Sequence, residues 1–316
     1  MRAILFSFLA LTFGGVAHAE LRAAAIPDYP AERVAAHTYV IHGPMGYPSP
    51  GNRGFMNNPA FVVTKSGVVV IDPGSSVQTG AMLLRQIAKV TQRPVVAVLN
   101  THVHGDHFLG NQAIREAYPK VPIYGHPHMI AAMDRGAGQE WAERMLSMTQ
   151  GATAGTLPVT PDHAVDNGDV VAVDGTHFRF HYTGKAHTDS DLMIEVPEEG
   201  VLFLADNVNN KRIVRMDDGS IQGNIAAIDA AKEIRASTYV PGHGRTGGRE
   251  MLDAYRGYLS TLHDTVAKYY AQGMADYEMK PKVAAALADY HDWPGFDEEL
   301  GKHISLTYLE IESAGF

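Results

Sequence analysis

No cysteine occurs in the 316-residue chain. That absence excludes disulfide staples, thiolate metal sites and a cysteine nucleophile together. It also suits an oxidising compartment, where a free thiol is a liability. Basic residues are the minority, 26 Lys+Arg against 35 Asp+Glu, for a formal net charge of −9. Binding to nucleic acid or to an anionic membrane requires a basic footprint, so this balance argues against both. With 19% of residues charged and 45% hydrophobic, the composition is globular rather than disordered. No G-x-S-x-G elbow is present to carry a serine nucleophile. What the chain has in excess is histidine, at 16 residues.

The first nineteen residues read MRAILFSFLALTFGGVAHA. Arg2 precedes an uncharged apolar run from Ala3 to Val16, followed by Ala17-His18-Ala19. This is the pattern of a cleavable secretory signal, and it predicts an exported, periplasmic protein cut after Ala19. The apolar run is shorter than the ~20 residues of a membrane span, and no later stretch approaches that length. The mature chain, 20–316, is therefore expected to be free of the membrane and to form a single domain. A motif-bearing core occupies about 34–244 and a helical part 248–316.

Strand signals come first: 37–43, then 61–64 and 68–72 as a hairpin around Lys65-Ser66-Gly67, and the nearly all-apolar 94–100. Between the first strand and that hairpin lies a Gly-, Pro- and Asn-rich loop, 43–58, carrying Met45, Tyr47, Phe55 and Met56. Its length and its tip residues suit either a cover over a site or packing on the core. Helical periodicity appears over 79–91, 108–118 and 127–149, the last interrupted by Gly136 and Gly138. A second set of strands follows at 121–126, 170–173, 177–184, 191–196, 201–206 and 238–244. A helix is expected near 223–236, and 248–275 and 280–313 read as mostly helical. Strands followed by helices in two successive halves predict two β-layers with helices outside, an α/β four-layer αββα sandwich.

The chemistry lies in Asn100-Thr101-His102-Val103-His104-Gly105-Asp106-His107, where a buried strand gives way to a helix. Residues two apart in extended chain point the same way, so His102 and His104 can share one cation. Gly105 permits a turn after which Asp106 and His107 face a neighbouring position. Imidazole with carboxylate favours Zn2+, with Fe or Mn as alternatives. With His and Asp each about one residue in twenty, four specified positions over some 300 starts arise by chance roughly two times in a thousand.

This HxHxDH pattern resembles the signature of the metallo-β-lactamase superfamily, and later segments are similar in the same order. VVVIDPG resembles the family's strand ending in Asp-x-Gly, which implies that Asp72 supports a ligand. GKAHTDSDLMIEVPEEGVLFLADNV implies His187 as a third imidazole and Asp206 as a bridge, and PGHG implies His243. The resemblance implies two zinc ions: one on His102, His104 and His187, the other on Asp106, His107 and His243, with Asp206 between them. It implies hydrolysis of a small-molecule carbonyl substrate (thioester, ester, lactone or lactam) by a hydroxide shared by the two cations. Asp106 would then orient the water as well as bind metal.

Asp206 stands where class B1 and B2 lactamases carry a cysteine, and B3 enzymes lack a bridging Asp there. A bridging Asp resembles glyoxalase II-type thioesterases and lactonases. The export signal and the HTDSD stretch look most like periplasmic metallohydrolases linked to sulfur oxidation or quinoprotein relays. Alternatives are a β-lactamase acting on antibiotics, a mononuclear iron enzyme of the persulfide dioxygenase kind, and a non-enzymatic metal binder. Lys211, in the loop after Asp206, is a candidate for binding an anionic substrate. The other ten histidines outside the leader lack ligand spacing and read as structural or solvated, although His126 and His128 could lie near the site. The sequence leaves the oligomeric state open.

Overall fold

Val68-Val69-Val70-Ile71 has no exposed side chain on either face, as a strand must when both sides of its sheet are covered. Val69 and Ile71 point into one apolar cluster and Val68 and Val70 into another, because successive side chains of a strand alternate. In the computed structural model, which describes residues 22–314, this strand is the middle one of a seven-stranded sheet. Its members, in spatial as in chain order, are β1 (Glu32–Arg33), β2 (Thr38–Val40), β3 (Ala60–Val63), β4 (Val68–Ile71), β5 (Val95–Leu99), β6 (Ile123–Gly125) and β7 (His163–Ala164). Strands β1 to β4 pair antiparallel, and β4 to β7 pair parallel. The expected leader, 1–19, lies outside the described residues.

The second sheet has five strands: β8 (Val170–Val173), β9 (Thr176–His181), β10 (Met193–Val196), β11 (Val201–Ala205) and β12 (Thr238–Pro241). All pair antiparallel except β12, which runs parallel to β11. The inner faces of the two sheets meet in one cluster, with Val69, Ile71 and Leu99 on one side and Phe178, Ile194 and Phe203 on the other.

Outside the first sheet lie α1 (Val77–Val90), the short α2 (Gly105–Phe108) and α3 (Asn111–Ala117). Helix α1 starts where it does because the Ser76 side chain accepts the Thr79 amide, capping one of the unpaired donors of its first turn. Met82, Leu83 and Ile87 of α1 pack against Val68 and Val70. Helices α4 (Pro127–Asp134) and α5 (Ala137–Met148) follow β6. They are two helices rather than one because Gly136 takes φ +105° between them. Outside the second sheet lie α6 (Ile221–Glu233), α7 (Glu250–Tyr270), α8 (Asp276–Ala286) and α9 (Phe296–Ala314). Leu202, Leu204 and Tyr239 share a cluster with Leu252, Leu259, Val283 and Leu300, so the C-terminal helices complete the core of this sheet. The result is the expected four-layer αββα arrangement.

Three local differences from the sequence reading have simple causes. Strands β1 and β7 were not expected, being polar two-residue edge pieces without apolar alternation. The strand expected over 37–43 stops at Val40, where the chain turns into the 43–58 loop. The helix expected from 108 begins at Gly105 and breaks after Phe108, so Asp106 and His107 sit on a short helical turn that starts just after His104. Among the described residues, no helix is long and apolar enough to cross a membrane.

Candidate metal centre

Strand ends deliver most of the site. Asp72 follows β4, His102 to His107 follow β5, Asp206 follows β11 and His243 follows β12, all at one edge of the sandwich. His187 comes from the β9–β10 connection. The backbone is bent hard at two of these exits: Asp72 has φ +46° and Ala205, just before Asp206, has φ +51°. Such non-glycine conformations are costly and persist only where surrounding contacts hold them. Gly242 is required for space, since a Cβ there would lie 1.8 Å from Asp206 Oδ1. Gly105 is confined likewise, its place for a Cβ being 2.8 Å from Trp141 Cβ.

All seven ligand candidates are buried and converge. His102, His104 and His187 form one group and Asp106, His107 and His243 a second, each with ligand atoms within 4.8 Å of one another. His187 Nε2 lies 2.9 Å from His104 Nδ1. His107 Nε2 stands 3.3 Å from Asp206 Oδ1 and 3.4 Å from Asp106 Oδ2. His243 Nε2 stands 3.2 Å from Asp106 Oδ2 and 3.3 Å from Asp206 Oδ2. Asp206 Oδ2 also lies 3.4 Å from His187 Nε2, so this carboxylate faces both groups. Two ligands on a tetrahedral zinc with bonds near 2.05 Å are separated by about 3.4 Å, which the five carboxylate–imidazole spacings match, while the His187–His104 pair is closer.

Hydrogen bonds on the far side of four of the five rings, all but His187, fix which nitrogen faces inward. Asp72 Oδ1 accepts the Thr101 amide at 2.9 Å, and Oδ2 accepts the Thr101 hydroxyl at 2.6 Å and His107 Nδ1 at 2.8 Å. His102 Nδ1 is 3.0 Å from the same hydroxyl oxygen. Asp72 thus orients His107 directly and His102 through Thr101, as carboxylates behind metal-bound imidazoles do. A third grouping of Asp72 with His102 and His107 is accounted for by these bonds. His243 Nδ1 lies 2.9 Å from the Met56 carbonyl, and His104 Nε2 lies 3.3 Å from Asp218 Oδ2. The inward atoms His102 Nε2, His107 Nε2 and Asp206 Oδ1 are buried with no hydrogen-bond partner. Orphaned polar atoms of this kind are costly unless a bound group satisfies them, and a divalent cation fits this donor set.

Electrostatics agree with ligation. Burial pushes His187 down to about 3 and His102 well below its ordinary value, so both rings are neutral and able to donate lone pairs. Burial would raise Asp106 and Asp206, but the His107 and His243 imidazoles outweigh it and hold both carboxyls well below the usual range. Burial also opposes charge on His107, yet Asp106, Asp206 and Asp72 pull its pKa well above the ordinary value. The carboxylates make a negative trap that draws positive charge inward.

The family model for the metallo-β-lactamase superfamily matches residues 52–243, more than half of the chain. This chain belongs to that superfamily. A linear primary-alkylsulfatase from Pseudomonas sp. is 24% identical over 272 residues, covering 73% of this chain and 51% of the relative. A type 2 metallo-β-lactamase from Bacteroides fragilis is 24% identical over 222 residues, covering 67% and 78%. The solved structure of a stereoselective inverting sec-alkylsulfatase from Pseudomonas sp. superposes with a TM-score of 0.66 at 19% identity, covering 89% of this chain and 50% of that one. The chain spans about half the length of the alkylsulfatases it matches.

In this metallo-β-lactamase fold a cavity of about 180 Å³ opens beside the cluster. His104, Asp106, His187, Asp206 and His243 form its floor, and its walls include Tyr47, Met56, Trp141, Met145 and Arg212. The 43–58 loop divides its labour: Tyr47 and Met56 line the cavity, while Phe55 is fully buried against Tyr29. Tyr47 is tied down by its hydroxyl, 2.7 Å from Glu299 Oε1 on α9.

Lys211 does not belong to this site. It is exposed on a left-handed turn (φ +55°) and lines no part of the cavity. Its neighbour Arg212 points inward instead, donating to the Gly46 carbonyl at 2.8 Å and lying 2.9 Å from His243 Nδ1. His126 caps α4 and stacks on Tyr182 at 4.0 Å, and it belongs to none of the ligand groups. Asp218, Arg212 and Trp141 are site residues that the sequence reading missed.

Proposed function

We propose that the protein is a zinc-dependent hydrolase with two metal ions, acting on a carbonyl substrate such as a thioester, ester, lactone or lactam. One observation carries the reading: the Asp206 carboxylate reaches both ligand groups at once, its Oδ2 lying 3.4 Å from His187 of the first and 3.3 Å from His243 of the second, and its Oδ1 3.3 Å from His107 of the second. His102, His104 and His187 would hold one ion and Asp106, His107 and His243 the other, with Asp206 shared. When bound, such a pair lowers the pKa of water toward neutrality and polarises the attacked carbonyl. Asp106, ionised and lining the cavity, is placed to orient the attacking water. Asp72, Thr101 and Asp218 hold the imidazoles in the required tautomers.

A mononuclear iron centre with two His and one Asp would leave three of the five converging imidazoles without a partner, so the geometry favours the two-ion reading. Two relatives are named linear primary-alkylsulfatases, so alkyl sulfates are tested beside the carbonyl compounds. The test is turnover of a panel of aryl esters, thioesters, lactones, nitrocefin and alkyl sulfates, with and without a chelator. Turnover of a carbonyl substrate, lost on chelation and restored by about two equivalents of zinc, is expected. A panel without any metal-dependent turnover contradicts the proposal.

A further inference from the structure

The cavity wall is cationic in a chain that is acidic overall. Arg144, Arg212 and Arg215 line it, and its only acidic residues are the ligand candidates Asp106 and Asp206. The three arginines are not equivalent. Arg212 is buried and held by the Gly46 carbonyl. Arg215 is paired with Asp217 at 2.6 Å and Asp218 at 3.3 Å. Arg144 is exposed, with no carboxylate within salt-bridge distance among the described residues.

Trp141 organises these charges. The Arg144 guanidinium lies 4.7 Å from the centre of its ring and that of Arg215 5.8 Å. The same indole packs 4.9 Å from the His104 ring. A guanidinium stacked on an aromatic face is positioned by that contact while its in-plane N–H donors remain free for an anion. A second hollow shares Trp141, Arg144 and Arg215 but adds Glu140 and Asp218, which repel an anion. The place for negative charge is therefore the metal-facing side of the indole. Beside it Met56, Met145, Met148 and Val214 offer apolar and thioether surface.

We propose that the substrate is an amphiphilic anion. Its negative group docks on Arg144, with Arg215 near the same indole, its apolar body lies on the methionines, and its hydrolysable bond reaches the cluster. This rests on the hydrolase reading and narrows it. Water adds across the acyl bond, so the acyl carbon gains the hydroxyl and the leaving group gains a proton.

The test uses the full zinc-loaded chain and matched 4-nitrophenyl esters: monoesters of succinic, adipic and sebacic acid against neutral alkanoates of equal length. At one or more lengths the anionic ester is expected to win by about tenfold in kcat/KM, the scale of a charge-assisted contact at a partly exposed site. Arg144→Gln should bring that ratio to within about twofold with zinc content unchanged, and Arg144→Lys should restore part of it. A ratio near one in the unaltered protein, or a preference that survives Arg144→Gln, overturns the proposal. If no ester is cleaved, the hydrolase reading fails separately and the anion site is read by calorimetry. Decanesulfonate should bind at least about tenfold tighter than decanamide, and only when Arg144 is present. Equal affinities overturn it.

Discussion

The floor and the wall of the cavity are built on opposite plans. The floor is buried and tightly held: four of its five ligand rings have a second contact behind them, from Thr101, Asp218, Asp72 or the Met56 carbonyl. The wall is partly exposed and held by few contacts, with Tyr47 leaning on Glu299 and Trp141 on two guanidinium groups. Floor geometry must be reproduced to within a fraction of an ångström for metal chemistry, whereas the wall only has to match the shape and charge of a ligand. The difference separates reactivity from selectivity. It also accounts for a superfamily whose members carry names as different as alkylsulfatase and β-lactamase on one architecture.

Breaking the floor should have the largest effect. His104→Ala is expected to lower hydrolysis by roughly a thousandfold or more while leaving the circular dichroism spectrum intact, because it removes an ion-holding ring. Retained turnover would place the chemistry elsewhere. Asp72→Asn keeps the shape but weakens the support behind His107 and His102, and should cost about 10- to 100-fold in metal affinity or activity. Titrating zinc into both proteins measures it, and equal affinities would reduce Asp72 to a packing role.

The wall has a prop that pH can probe. Buried His303 on α9 lies 2.9 Å from both the Tyr258 hydroxyl and the Val214 carbonyl, and burial pushes its pKa down to about 4. In the unfolded chain it takes up a proton near its ordinary value of 6.5, but the folded protein resists until about 4. Its contribution is thus present above 6.5 and is lost as pH falls across that window, by roughly 3 kcal/mol at most. Urea midpoints at several pH values should show the decline, and His303→Gln should make it shallower, the other buried histidines supplying the remainder. The smallest effect is reserved for Lys211→Ala: kcat/KM should stay within about twofold for every substrate, since the side chain is solvated. A rise in KM confined to anions would return Lys211 to the site.

The sequence made the floor legible and the wall largely opaque, for physical reasons. His102, His104, Asp106 and His107 share one short loop, so their chemistry is concentrated where it can be seen. His187, Asp206 and His243 were found because a family resemblance supplied their order. Asp218 reaches His104 from 114 residues away in a loop of unremarkable composition, and nothing local marks it. Lys211 and Arg212 are adjacent cations, and only the left-handed turn at Lys211, which no glycine announces, decides that Arg212 enters the cavity. Trp141 and Arg144 read as ordinary helical residues until α5 is seen packed against Gly105. In the fold, the long apolar strands and amphipathic helices were clear from their periodicity. The polar edge pieces β1 and β7 exist only through their neighbours.

The central claim is that seven side chains from distant parts of the chain hold two cations. Anomalous diffraction at the zinc edge, on crystals of the zinc-loaded protein, tests it most directly. Two peaks roughly 3.5–4 Å apart are expected, one among His102, His104 and His187 and one among Asp106, His107 and His243, with Asp206 between them. A single peak, or peaks away from these residues, would contradict it.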